Sequence, residues 1–195
     1  MKKGIIFDMD GTLWDSAAGV AESWNEAILA YGYERKPLTA GDIQSVMGKT
    51  MEDIADILFP ELNVMQRKEL LDLCCRLEND YLRRHGGGLY PDIRKTMEKL
   101  KVNYHLYIVS NCQAGYIEAF LDYYKFHDLI EDIECYGNND KPKGENIALL
   151  YQRNNLEDAV YVGDIQGDYD ASMSAGVRFI HAGYGFGKVE ADVPE

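Results

Sequence analysis

A block with only helical period separates one short apolar run from a regular alternation of strands and helices, and this interruption limits the fold more than any other feature. Gly4-Ile5-Ile6-Phe7 is bounded at once by Asp8-Met9-Asp10-Gly11-Thr12. An apolar run of that length suits a strand buried on both faces of a parallel sheet. From Ser16 the period changes. Val20, Trp24, Ala27, Ile28 and Tyr31 recur at helical spacing, with Gly32 as the stop. Thr39-Ala40-Gly41-Asp42 signals the start of a short helix that Gly48 ends, and residues 50–58 predict another, closed before Pro60. Residues 63 to about 85 predict one long helix that buries Met65, Leu70, Leu71, Cys74, Leu77 and Tyr81. Gly86-Gly87-Gly88 then breaks the chain. Helices over residues 91–100, 116–124, 144–153 and 168–175 alternate with strands over 104–109, 132–136, 159–162 and 177–182. Such alternation calls for a parallel sheet with helices on both faces, and the isolated first strand most simply joins that sheet. The expected architecture is therefore α/β, a Rossmann-like parallel-sheet core of residues 1–15 and 86–195 carrying an inserted α-helical cap of residues 16–85. The triple glycine and the residues after Thr12 are the natural hinges.

In open parallel sheets, ligands bind at the carboxyl ends of the strands. The first strand ends in Asp8 and Asp10, and the strand after residue 104 ends in Ser110-Asn111. The strand through Val162 ends in Gly163-Asp164, with Asp168 one helical turn on, and Lys141 and Lys143 precede a helix start. Clustered carboxylates repel one another unless a hard dication sits among them, and Mg2+ prefers oxygen ligands. One carboxylate can attack phosphorus, and a second can protonate the leaving alkoxide and later take a proton from water. The charge on the phosphoryl oxygens needs a metal, a lysine, a hydroxyl and backbone amides as fixed positive partners. These strand ends supply the parts of phosphoryl transfer through a protein carboxylate.

Composition narrows the partners. Lys and Arg number 20 against 33 Asp and Glu, a net charge of −13 that repels phosphate backbones and anionic lipid. Neither nucleic acid nor a membrane surface is expected as a partner. No apolar run approaches the roughly 20 residues that span a bilayer, and the N-terminus reads as a first strand rather than a signal peptide. The four cysteines form no CxxC pair, so reduced thiols in a cytoplasmic protein, a monomer or weak homodimer, are expected. Cys112 has no neighbouring base in sequence and is not read as a nucleophile. The four histidines show no paired metal-ligand spacing and are read as structural or solvent-facing. Asp15 and Ser16 are read as the start of the first cap helix, since Ser and Asp cap N-termini well.

Asp8-Met9-Asp10-Gly11-Thr12 resembles the first motif of the haloacid dehalogenase superfamily in its phosphatase branch. Ser110, after an apolar strand, resembles the second motif, and Gly163-Asp164-Ile165-Gln166-Gly167-Asp168 the fourth, whose acidic pair lies four apart. The helical insertion is similar to that family's type-one cap, and the nearest subgroup is that of phosphoglycolate-phosphatase-like hydrolases. The resemblance implies a Mg2+-dependent phosphatase that hydrolyses small phosphorylated metabolites through an aspartyl-phosphate. It further implies Asp8 as nucleophile and metal ligand, and Asp10 as acid/base that also binds metal through its carbonyl oxygen. Asp164 would complete the metal site, with Asp168 as ligand or support, while Ser110, the Asn111 amide and the Gly11–Thr12 region hold the phosphoryl group. The third motif fits Lys141-Pro142 or Lys143-Gly144, and Lys143 is preferred because it abuts the helix. Gly48-Lys49 either lowers amides and a lysine onto a bound anion as a substrate-binding turn or is an ordinary inter-helix turn. Tyr184-Gly185-Phe186-Gly187 either lines the site or simply packs. Two other functions stay in view: a phosphomutase of the β-phosphoglucomutase type, which places a histidine on the first cap helix, and a phosphate-sensing regulatory binding protein, which would lack the nucleophile or the acid.

Overall fold

Alternate residues of the first strand go to opposite sides of a sheet. In the computed structural model, which describes residues 2–195, β1 (Lys3–Phe7) sends Ile5 and Phe7 into one hydrophobic cluster and Ile6 into another. β4 (His105–Ser110) does the same, with Leu106 and Ile108 on one face and Tyr107 and Val109 on the other. The pleat makes this division, and both faces are apolar because both are covered. With β5 (Asp132–Cys135), β6 (Asp158–Gly163) and β7 (Arg178–His181) they form one five-stranded sheet of order β5-β4-β1-β6-β7, parallel throughout. β1 is central, so the Asp8 motif emerges at the middle of the carboxyl edge, between the ends of β4 and β6.

The connections are helical. α5 (Ile93–Leu100), α6 (Tyr116–Tyr124), the one-turn α7 (Tyr136–Asn139), α8 (Lys143–Arg153) and α9 (Gln166–Ser174) accompany the sheet. Residues 16–85 contain α1 (Ala17–Tyr31), α2 (Ala40–Gln44), α3 (Met51–Leu58) and α4 (Val64–His85), and no strand among them. Reciprocal capping boxes open α2 at Thr39 and α4 at Asn63, and the Thr50 side chain accepts from the Asp53 amide to open α3.

Three details depart from the sequence expectation. A two-stranded antiparallel ribbon, β2 (Trp14–Asp15) with β3 (Gly88–Leu89), ties the two hinge segments side by side. Met65, expected on the buried side of α4, is 72 % exposed, because the packed stripe begins only at Leu70 and runs through Cys74, Glu78 and Leu82 at four-residue spacing. Ser16 occupies the N-cap position of α1 without capping it; its hydroxyl is used elsewhere.

Candidate active site

The turn after β1 brings Asp8 and Asp10 to the sheet edge. Gly11 adopts φ 84°, and a Cβ there would strike the Asp164 carboxylate, so only glycine lets the two strand ends approach this closely. Carboxylate oxygens of Asp8, Asp164 and Asp168, all three buried, lie within 4.8 Å of one another. Lys143, in the first turn of α8 and only 4 % exposed, spans two of them, its Nζ donating to Asp8 Oδ1 at 2.9 Å and to Asp168 Oδ1 at 2.6 Å. Lys141 is exposed, with its backbone carbonyl accepting from Asn146. Of the two lysines in the third motif, the fold brings Lys143 to the cluster.

Asp168 has both oxygens engaged, since Oδ2 accepts from the amides of Asp164 at 3.0 Å and Ile165 at 3.1 Å. It anchors the lysine and the start of α9 at once. Asp164 accepts at Oδ2 from the Phe186 amide at 2.8 Å, and Thr12 Oγ1 points to its Oδ1 at 3.5 Å. Thr12, expected at the substrate, therefore turns its hydroxyl to Asp164, while its carbonyl accepts from Tyr184 at 2.8 Å. The segment after β7 thus packs on the site through both Tyr184 and Phe186. His181, the histidine nearest this group, places a ring nitrogen 3.2 Å from the Asp164 carbonyl oxygen.

The Asp10 carboxylate lies apart from that cluster. Ser16 Oγ donates to its Oδ1 at 2.6 Å, and the Tyr116 hydroxyl lies 2.8 Å from Oδ1 and 2.9 Å from Oδ2. Neither Ser16 nor Tyr116 was expected to act here. Ser16 carried one signal, the lack of an acidic or amide residue three positions on, where Gly19 stands. Tyr116 carried another, a tyrosine opening a helix just past a strand end.

Electrostatics mark the group as one awaiting positive charge. Burial and then the neighbouring Asp168 push the Asp8 carboxyl up to about 7, against the pull of Lys143. Burial and Asp168 raise Asp164 to about 6. For Lys143, burial acts to lower the pKa, but Asp168 and Asp8 outweigh it and hold the ammonium well above its ordinary range. Asp10 is lifted to about 7 by burial, which the Ser16 and Tyr116 hydrogen bonds only partly offset. Oxygen donors only, gathered within ångströms and short of cationic charge, fit a hard dication such as Mg2+.

A cavity of about 50 Å³ opens beside these residues, under the cap. Asp10, Ser110 and Asn111 line it from the core, and Gly48, Lys49, Val20, Trp24 and Glu78 from the cap. Asn111 Nδ2 donates to the Gly48 carbonyl at 2.9 Å, tying the turn after α2 to the end of β4. Lys49 is exposed at the rim. Glu78, absent from the sequence expectations, is 3 % exposed and accepts from Trp24 Nε1 at 2.6 Å. Burial lifts its carboxyl to about 7, with the Trp24 and Gln113 hydrogen bonds opposing. Cys112 also lines the cavity, but burial pushes its thiol far up, which leaves it protonated and unreactive. All four cysteines are unpaired, and no helix among the described residues is long and apolar enough to cross a membrane.

A family model described as haloacid dehalogenase-like hydrolase matches residues 5–182. Among curated proteins, the phosphoglycolate phosphatase of Photorhabdus laumondii is 28% identical over 198 residues, covering 94% of this chain and 81% of that protein. The phosphoglycolate phosphatase of Aquifex aeolicus is 26% identical over 206 residues, covering 98% and 89%. Among solved structures, a haloacid dehalogenase-like hydrolase from Bacteroides fragilis superimposes with a TM-score of 0.80 at 25% identity, covering 95% of this chain and 89% of its own. A haloacid dehalogenase-like family protein from Streptococcus pneumoniae gives 0.81 at 23% identity over 96% and 87%, a likeness of fold.

Proposed function

The chain belongs to the haloacid dehalogenase-like hydrolases, and from that premise we propose that it is a Mg2+-dependent phosphatase of small organic phosphomonoesters, acting through an aspartyl-phosphate on Asp8. The observation that carries this reading is the Asp8 carboxylate at the end of the central strand, with one oxygen held by Lys143 at 2.9 Å and Asp164 in the same buried cluster. Lys143 fixes the orientation of Asp8 and leaves its second oxygen to attack phosphorus. A bond forms from that oxygen to phosphorus as the ester P–O bond breaks, and the alkoxide departs with the proton of Asp10. Water then attacks the phosphorus of the acyl phosphate and gives its proton to Asp10. Inorganic phosphate leaves, and Asp8 and protonated Asp10 are restored. A carboxyl near 7 suits both halves of that duty at neutral pH.

The phosphoryl oxygens fall to Lys143, the Ser110 hydroxyl and the backbone amide of Asn111; against the sequence expectation, the amides of Gly11 and Thr12 are taken, donating to the carbonyls of Trp14 at 2.9 Å and Met9 at 3.2 Å. Asp8, the carbonyl of Asp10 and Asp164 would hold Mg2+, with Asp168 at their edge. When bound, the cation supplies positive charge to the phosphoryl group and keeps its carboxylates ionised. Residues 16–85 act as a cap that excludes bulk water, with Gly48 and Lys49 closing over the substrate. The relatives named phosphoglycolate phosphatases support a small phosphorylated metabolite as substrate, and the unpaired cysteines suit a cytoplasmic setting. Neither competing reading has an observation in its favour: α1 carries no histidine for a phosphomutase, and a binding protein would not need both Asp8 and Asp10.

The test is release of inorganic phosphate from p-nitrophenyl phosphate. It is expected to stop in EDTA and to return on adding Mg2+. Release that resists EDTA would overturn the metal-dependent reading.

A further inference from the structure

We propose that the cavity under the cap selects a leaving group bearing a hydrogen-bond donor, a second hydroxyl or an ammonium, over one bearing a carboxylate, with Glu78 and Asn111 as the specificity-determining residues. The inference rests on the phosphatase reading above and narrows its substrate class.

Two acceptors line this cavity, and each has capacity beyond its contacts within the fold. Glu78 stands on the buried stripe of α4, where its neighbours at four-residue spacing are Cys74 and Leu82. A neutral amide would accept from Trp24 Nε1 there at a smaller desolvation cost, yet a carboxylate faces the cavity among Val20, Trp24 and Ile54. The nearby donors, Trp24 Nε1 and the Gln113 amide, are both directed to it, and Gln113 also gives a proton to Asn79 Oδ1 at 3.0 Å. A carboxylate offers about four acceptor positions, so capacity for a ligand remains. Asn111 is the second acceptor. Its Nδ2 must face the Gly48 carbonyl, to which it donates, and that fixes the amide so that Oδ1 points the other way. Oδ1 is buried and has no hydrogen-bond partner among the described residues.

An ammonium has protons for both acceptors, and a hydroxyl for one of them. A carboxylate brings acceptors only and, against ionised Glu78, sets a second negative charge in a poorly solvated space. Lys49 lines the rim but is exposed, so water screens its charge, whereas Glu78 is buried. Size agrees: about 50 Å³, against roughly 10–15 Å³ for one water, leaves room for a leaving group of about four non-hydrogen atoms.

The experiment compares kcat/KM for 2-aminoethyl phosphate, 2-hydroxyethyl phosphate, ethyl phosphate and phosphoglycolate on the Mg2+-loaded enzyme at pH 8, above the value of about 7 to which burial lifts Glu78. At least one donor-bearing ester is expected to exceed phosphoglycolate by about tenfold or more, with ethyl phosphate between them. The two donor esters separate ammonium from hydroxyl. In Glu78→Gln the preference over phosphoglycolate is expected to shrink by about tenfold, a ratio taken within one preparation so that inactive protein cancels. Phosphoglycolate turned over as well as both donor esters, or an unchanged ratio in Glu78→Gln, would overturn the inference while ethyl phosphate turnover keeps the phosphatase reading intact. Failure of every ester would sink both.

Discussion

Glu78 accepts from the buried Trp24 Nε1 at 2.6 Å, where a neutral acceptor would serve stability better, and the cost of the charge can be measured. Burial holds its carboxyl at about 7 in the folded chain, above the ordinary 4.5. The folded state favours the neutral form. Stability is therefore complete below pH 4.5 and is lost as pH rises through 7, by on the order of 3 kcal/mol at 1.36 kcal/mol per unit. Glu78→Gln keeps an acceptor for Trp24 without the charge, so its Tm should match the wild type near pH 4.5 and exceed it by several degrees at pH 8. A Tm difference independent of pH would show that the carboxylate carries no such burden. At this scale the sequence was readable where a side chain's position follows from a strand end: Asp8, Ser110 and Asp164 lie at the carboxyl edge because β1, β4 and β6 end there. It was less readable where a role depends on a partner far along the chain. Ser16 and Tyr116 meet each other at 2.7 Å and both reach Asp10, and sequence shows none of these contacts. Glu78 was within reach, because a stripe through Leu70 and Cys74 lands on it at the next turn.

At the scale of elements, the turn after α2 decides how the cap meets the core. Gly48 has φ 84°, and a Cβ there would collide with Cδ1 of Ile165, in the loop that also carries Asp164. Gly32, at the end of α1, has nearly the same backbone, φ 80°, with nothing within 4 Å of a Cβ. Both alanine substitutions should cost a similar strain of about 1 kcal/mol. Only Gly48→Ala should lower kcat/KM for p-nitrophenyl phosphate, by about threefold or more, because it alone sets a methyl against the Ile165 side chain, which must turn aside within the seam of cap and core. Equal activities would remove closure at Gly48 from the account. The helices and long strands were legible because each spans enough residues to express a period. The ribbon of Trp14–Asp15 with Gly88–Leu89 was not, since two residues carry no period and its pairing is set by where the two hinges meet. Met65 misled for the opposite reason: the period continued into a first turn of α4 whose apolar side chains, Val64 and Met65, are exposed.

Across the whole molecule, the net charge of −13 has one structured part. Three of its carboxylates are buried together at the central strand ends with a single lysine, an arrangement that suits a cation and then an anionic substrate. Asp10 stands at the seam of the two halves. One oxygen is held by Ser16 at the first residue of the cap segment, and Tyr116 reaches both from a helix of the core. The central claim is the division of labour between Asp8, which takes the phosphoryl group, and Asp10, which moves protons. Asp10→Asn with p-nitrophenyl phosphate separates them. p-Nitrophenolate departs without an acid, whereas hydrolysis of the acyl phosphate needs a base. Rapid mixing should give a burst of p-nitrophenolate stoichiometric with enzyme, followed by slow turnover, and acid-quenched protein should carry a phosphoryl group on Asp8. Linear release without a burst, with Asp8 unmodified at every quench time, would contradict the account.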